Sequence, residues 1–393
     1  MHASESQPAP GHRETSVVLH AAFIVTGAVT TLLGPLLPLL IARWSLRDAQ
    51  AGVFFTLQFC GNLAGLATVG TLLARRGYRF TLSLGFALMA AGVGGLLASG
   101  PFEARVCTVV FGGGLGLTIS GVNLWVGEDS GPRRATALSL LNMCWGLGAI
   151  AFPPLVLLAQ REHLLLELML ATASLCGISA VFLAVRGAEP RAAPWHAAAG
   201  ATANAFSPAG TLAVLGCLFF VYVGTEACVS GWIAALAKRI ATAGTPDPVW
   251  PLAPMFFWAG LLTGRGAVPL VLRVMSESGL LRRGLLLATV GTAALLSVQS
   301  FAGTALCAAV AGLGMACVFP LLAAWMFTVL GREARRKANL LFALGCAGGA
   351  TLPWLVGLVS SRTGDLRSGL LVPVAGCLAM VSLVFLFRRR ASS

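Results

Sequence analysis

The chain has 393 residues, of which 57% are hydrophobic and only 10% charged, with 47 glycines and a net charge of +13. A soluble domain carries about 25% charged residues because its surface must face water, so this composition excludes a soluble enzyme, a secreted disulfide scaffold and a disordered chain. The apolar residues fall in runs of about twenty, the length that crosses a hydrocarbon core of about 30 Å. The expected fold class is an all-α polytopic membrane protein.

The positive charge does not point to nucleic acid. The bases sit in short loops between apolar runs, not on a basic stripe interleaved with aromatics. The ten cysteines all lie inside apolar runs, where they behave as small hydrophobes, so neither a disulfide framework nor a metal site is implied. The opening MHASESQPAPGHRETS is polar and lacks the apolar core of a signal peptide. The first apolar run is therefore expected to remain as a true span.

Taken in chain order, apolar runs between charged or Pro/Gly clusters predict twelve spans. Their limits are 17–42, 49–73, 80–99, 104–127, 134–160, 164–186, 209–236, 250–274, 280–299, 302–330, 337–360 and 367–388. With the N-terminus inside, the cytoplasmic segments hold eighteen bases and the opposite side eight, which places both termini in the cytoplasm. The expected organisation is a cytoplasmic tail (1–16), a six-helix bundle (17–186), a cytoplasmic linker rich in Ala, Gly and Pro (187–208), a second six-helix bundle (209–388) and a short tail (389–393).

A shift of 200 residues lays the fourth and fifth runs over the tenth and eleventh. Cys107/Cys307, Trp125/Trp325 and Pro153/Pro353 coincide, as do Gly112/Gly312, Gly114/Gly314 and Gly148/Gly348. Glycine matches arise by chance in such a composition, so the Trp, Pro and Cys pairs carry the argument. They predict two parallel halves, a plan common among secondary transporters with the substrate site between the halves at mid-membrane.

The loop after the second run, GTLLARRGYRF (70–80), is similar to the G-x-L-x-D-R-x-G-R/K signature of the major facilitator superfamily. Gly70, Leu72, Arg75 and Gly77 match, and Ala74 replaces the acid. The resemblance implies a gating loop built on Gly70, Arg75 and Gly77. The missing acid weakens the charge relay usually assigned there, and a tight turn with topology-setting arginines is the plainer account of Arg76 and Arg79.

Three further stretches resemble the fucose-permease branch. They are FFVYVGTEACVSGWIAALAKR (219–239), WAGLLTGRGAVPLVLR (258–273) and GGGLGLTISGVNLWVGE (112–128). The branch implies sugar uptake with proton symport. The acids that fucose permease carries at mid-depth in its first and fourth spans have no counterpart here.

Within the spans Glu226 is the sharpest signal. A carboxylate at that depth is costly unless paired or protonated, and such residues are usually functional. It suits a group that takes and gives a proton; the alternative is a structural ion pair or a permanently neutral acid. Arg265 is its expected partner, the pair forming the proton-coupling site. A rise of 1.5 Å per residue puts Glu226 and Arg265 at depths about 10 Å apart, so they meet only at full reach or through a bridging hydroxyl or water. Arg265 could instead snorkel toward the cytoplasmic face.

The amides Gln58, Asn62, Asn123 and Asn142 offer hydrogen bonds that vicinal hydroxyls can use; their alternative is glue between helices. Tyr222 and the aromatics Trp232, Trp258 and Trp325 complete the expected substrate-binding set, as platforms for the C–H face of a sugar, with packing the competing role.

The leading expectation is proton-coupled uptake of a small polar solute, a monosaccharide first. Efflux of an amphipathic compound or drug by antiport is the alternative. A membrane enzyme or a sensor is remote, because no nucleophile–base pair or metal-ligand set converges at one depth and no extra-membrane domain is long enough. No cofactor is expected. The expected partners are the lipid bilayer, the solute and a coupling proton, with no nucleic acid, and the chain is expected to be a monomer of the inner membrane.

Overall fold

The computed structural model describes residues 10–97, 100–130, 134–190, 208–241, 249–330 and 334–391. Helices α1 (Pro10–Thr31) and α2 (Leu33–Trp44) make the first traversal, and α3 (Asp48–Gly95) makes the second and third. Helices α4 (Pro101–Asp129), α5 (Arg134–Arg161), α6 (Leu165–Arg186), α7 (Pro208–Ala241), α8 (Ala253–Val271) and α9 (Glu277–Ala294) each make one more. Helices α10 (Phe301–Met315) and α11 (Val318–Leu330) share the tenth, α12 (Ala334–Thr363) is the eleventh, and α13 (Leu366–Gly369) and α14 (Leu371–Ala391) share the last. The fold is therefore a twelve-span all-α bundle.

The structure adds detail at three of the predicted limits. The expected tail 1–16 is helical from Pro10, while residues 1–9 lie outside the described residues. The first span is broken at Leu32, because Pro35 has no N–H for the carbonyl of Thr31. The second and third spans are two helices that meet, as expected, in a tight turn at Gly77, whose φ of 76° is left-handed backbone that a glycine takes without strain. Of the expected linker, residues 191–207 lie outside the described residues.

Helices α1 to α6 pack on one another, as do α7 to α14, giving two groups. Glycines set the close crossings, and they do so twice in the same way. A methyl on Gly148 of α5 would collide with the Ile24 carbonyl of α1, and one on Gly348 of α12 with the Phe220 carbonyl of α7. Gly112 of α4 meets the Gln58 carbonyl of α3 as Gly312 of α10 meets the Phe257 carbonyl of α8. Gly114 and Gly314 repeat the relation against α3 and α9. Backbones this close gain van der Waals contact that larger residues would forbid.

The two groups meet mainly through α3 with α12, α5 with α8, and α2 with α7. These contacts concentrate toward the face opposite the chain termini. There Arg239 at the end of α7 places Nη2 2.6 and 2.7 Å from the two carboxylate oxygens of the largely buried Asp48, which also accepts from the Ser360 hydroxyl of α12. The Ala49 N–H donates to Ser361 Oγ at 2.8 Å, and Lys238 donates to the Pro38 carbonyl at 3.1 Å. A buried carboxylate is tolerated only when paired in this way, so this cluster ties the two groups together at one face.

On the face that bears the termini, Glu189 accepts from the backbone N–H groups of Tyr78 and Arg79 at 3.0 and 3.2 Å, directly beyond the Gly77 bend. A carboxylate there satisfies the open N–H groups of the helix that starts the third span. Arg79 reaches the Ala184 and Val185 carbonyls at 2.6 and 3.1 Å, closing the C-terminal end of α6. The indole N–H of Trp125 donates to the Ala188 carbonyl at 2.8 Å, and the Ala188 N–H to Thr15 Oγ1 at 3.0 Å. These bonds stay within the first group.

Candidate functional site at mid-membrane

Helix α7 carries Glu226 and, one turn earlier on the same side, Tyr222. The Tyr222 hydroxyl donates to Glu226 Oε2 and accepts from Arg265 Nη2 of α8 at 3.4 Å. That guanidinium nitrogen lies 3.9 Å from Glu226 Oε2. The depth gap expected between acid and base is thus bridged by a hydroxyl of the chain itself. Tyr222 is fully buried, whereas the Glu226 and Arg265 side chains are 18% and 22% exposed. The two charges are paired yet remain within reach of a solute or a proton.

On the same face of α8, seven residues before Arg265, Trp258 stands edge-on to Trp145 of α5, with ring centroids 5.3 Å apart. This aromatic pair joins the two groups of helices. Trp145 donates its indole N–H to Thr30 Oγ1 at 3.3 Å, and Gln58 donates to the Thr30 carbonyl at 2.9 Å. Thr30 lies just before the break in the first span, where it gathers polar groups from α3 and α5. Two buried donors in this region have no partner among the described residues: Trp258 Nε1 and Arg265 Nε.

The remaining predicted residues fall at several distances from this cluster. Asn123 and Asn142 donate to the carbonyls one turn back, Ile119 and Leu138, at 2.7 and 2.8 Å. Asn142 is exposed, although the same side of α5 packs on α8 one turn further along, at Gly146 and Leu262. The groups therefore part toward the face with the termini. Asn62 is half-buried where Gly116 of α4 approaches its carbonyl.

Trp232 is fully buried, with its N–H bonded to the Pro353 carbonyl at 2.9 Å, and Trp325 donates to Glu277 Oε2 at 3.2 Å. The structure does not bring these two to the Glu226 cluster.

Of the predicted gating residues, Gly77 forms the bend, Gly70 has open space around it, and Arg75 is exposed without a hydrogen bond or ion pair to a described residue. Arg79, read as topological, makes the loop's side-chain bonds instead. A groove of about 480 Å³ lies between α3 and α12, lined by Thr56, Phe59, Cys60, Cys346, Thr351 and Trp354 among others, with Glu226 and Arg265 not on its wall. Among the described residues, no group of three His, Cys, Asp or Glu is placed to hold a metal.

Sequence reasoning missed Thr30, Glu189 and the Asp48–Arg239–Ser360 cluster. Thr30 acts through its backbone carbonyl as well as its hydroxyl, and no pattern of residue types marks that. The charges of the other two sit at helix ends, where charge is ordinary.

Residues 19–339 match the family described as the Major Facilitator Superfamily. The chain belongs to the major facilitator superfamily. It is accordingly a membrane transporter rather than an enzyme.

Among solved structures, it is similar to a bacterial homologue of the human lysosomal transporter Spinster, in an inward-facing and occupied conformation. That pair has a TM-score of 0.75 and 15% identity over 97% of this chain and 98% of the other. A variant of the nucleoside transporter NupG superposes with a TM-score of 0.77 at 13% identity, over 96% of this chain and 99% of that one. The Escherichia coli fucose:proton symporter FucP, also as a variant, gives 0.62 at 15% identity, over 95% and 98%. At these identities the likeness is one of fold. No curated protein matches the chain by sequence.

Proposed function

We propose that this transporter takes up a monosaccharide together with a proton by alternating access. The observation that carries the reading is the Glu226–Tyr222–Arg265 cluster, an acid and a base held at mid-depth by one hydroxyl and still partly exposed. Glu226 takes a proton from the outer side, solute binds between the halves beside Trp258 and the amides, and both leave on the inner side. The face with the termini is the cytoplasmic face of the inner membrane, in keeping with the excess of bases there. The arrangement described above, tied at the far face and parted at Asn142, is then the inward-facing one.

The test is counterflow in proteoliposomes loaded with unlabelled hexoses and given trace label outside. Exchange of at least one hexose, accelerated by an inward proton gradient, is the expected result. Silence across the hexoses and their acid derivatives alike would sink the sugar reading.

The apolar groove between α3 and α12 favours a second reading, export of an amphipathic compound. Overexpression would then confer resistance to such compounds, and a protonophore would abolish it.

A further inference from the structure

Resting on the proton-coupled sugar reading, we infer that the solute carried at this site is a sugar acid, whose carboxylate faces Arg265 once Glu226 is protonated. Tyr222 and Arg265 are the titratable or charged groups that act on Glu226 among the described residues. The elements packed around them present apolar side chains: Phe319 of α11 lies 6.2 Å from the Tyr222 ring, and Phe342 of α12 stacks on Phe319. The charge of the site is therefore set by two residues.

With Glu226 ionised, acid and base cancel, and the empty carrier can reorient with a neutral interior. When Glu226 takes a proton, Arg265 keeps its charge, because a guanidinium is not deprotonated in proteins. A neutral sugar would leave that cation uncompensated at a depth where unpaired charge is costly. A carboxylate on the solute restores neutrality, so both forms that cross are uncharged at the site. One proton and one anion then move together, with no net charge transferred.

The hydrogen-bond inventory agrees. Arg265 Nε and Trp258 Nε1 are buried donors without a partner on one face of α8, two turns or about 10 Å apart. Donors left over call for an acceptor-rich ligand, and a carboxylate pairs with guanidinium through parallel bonds. The amides are in the complementary state. Gln58, which shares Thr30 with Trp145, and Asn142, one turn from the contact of α5 with α8, each spend an N–H on a backbone carbonyl, leaving their own carbonyl oxygens to accept. Solute hydroxyls can donate to those oxygens. A molecule with a carboxylate at one end and hydroxyls along the rest satisfies both sets, and a plain hexose satisfies only the second.

The test uses the full chain in proteoliposomes and compares labelled glucuronate, galacturonate and gluconate with their parent hexoses in counterflow. The expected result is exchange of at least one acid tenfold or more faster than its parent, with acid uptake unchanged by a valinomycin–potassium potential. Arg265→Gln should lower acid exchange at least tenfold, and Arg265→Lys should recover part of it. Equal or faster exchange of the neutral parent would overturn the inference and leave the sugar reading standing, as would acid uptake driven by the potential. Silence for acids and hexoses alike would overturn both. The response to the potential is read on the unmodified chain, so a poorly folding variant leaves the result decisive.

Discussion

Tyr222 is the residue on which the mid-membrane cluster depends, because its hydroxyl serves Glu226 and Arg265 at once. A hydrogen bond to a charged group contributes about 1.5–3 kcal/mol, and about 1.4 kcal/mol is tenfold in an equilibrium constant. Tyr222→Phe should therefore raise the half-saturation concentration for counterflow by about 10- to 100-fold while the protein still folds, as size-exclusion profiles would show. An unchanged half-saturation would mean that the bridge plays no part in binding.

At this scale the sequence was readable where charge was out of place. Glu226 and Arg265 stood out because the runs around them are apolar. Asp48 and Glu189 did not, since each lies at a helix end and its partners are 191 and 111 residues away in the chain. Trp232 reads in the sequence as either an aromatic platform or a packing residue, and its enclosed ring and the bond of its N–H to Pro353 fit packing.

At the scale of helices, glycine decides where backbones cross. In the sequence the pairs Gly112/Gly312, Gly114/Gly314 and Gly148/Gly348 are no more than a glycine-rich chain produces by chance, yet they occupy equivalent crossings in the two groups. A repeat written mainly in the absence of side chains is hard to tell from composition. Gly148→Val and Gly348→Val should each cost about 1–3 kcal/mol or more, as overpacking does, and lower the unfolding temperature in detergent. Gly70→Ala, with nothing within 4 Å, should leave that temperature unchanged or slightly raised. Equal effects at Gly70 and Gly148 would contradict the crossing argument.

The tie at the far face makes a separate prediction. In a background without the native cysteines, Ala49→Cys with Ser361→Cys should cross-link readily, since the N–H and hydroxyl there are 2.8 Å apart. Adding Asp48→Asn should slow that cross-link several-fold by weakening the hold of Arg239 and favouring the arrangement opened at this face. A cross-linking rate indifferent to Asp48 would show that the ion pair does not set the balance.

For the whole molecule, the order of apolar runs along the chain is enough to read a twelve-span membrane protein, because crossing a bilayer dictates the length and polarity of each segment. Where the two groups of helices touch is not legible, since the contacts join residues 191 to 312 positions apart in the chain. In the arrangement described, contacts at Asp48, Ala49 and Trp258 join the two groups while Asn142 is left exposed.

Glu226 is the group proposed to couple the proton to the solute. Its most direct test is Glu226→Gln in proteoliposomes, with counterflow and gradient-driven accumulation of the same solute measured side by side. The expected result is that accumulation under an inward proton gradient is lost while exchange persists. Accumulation that survives the substitution would contradict it.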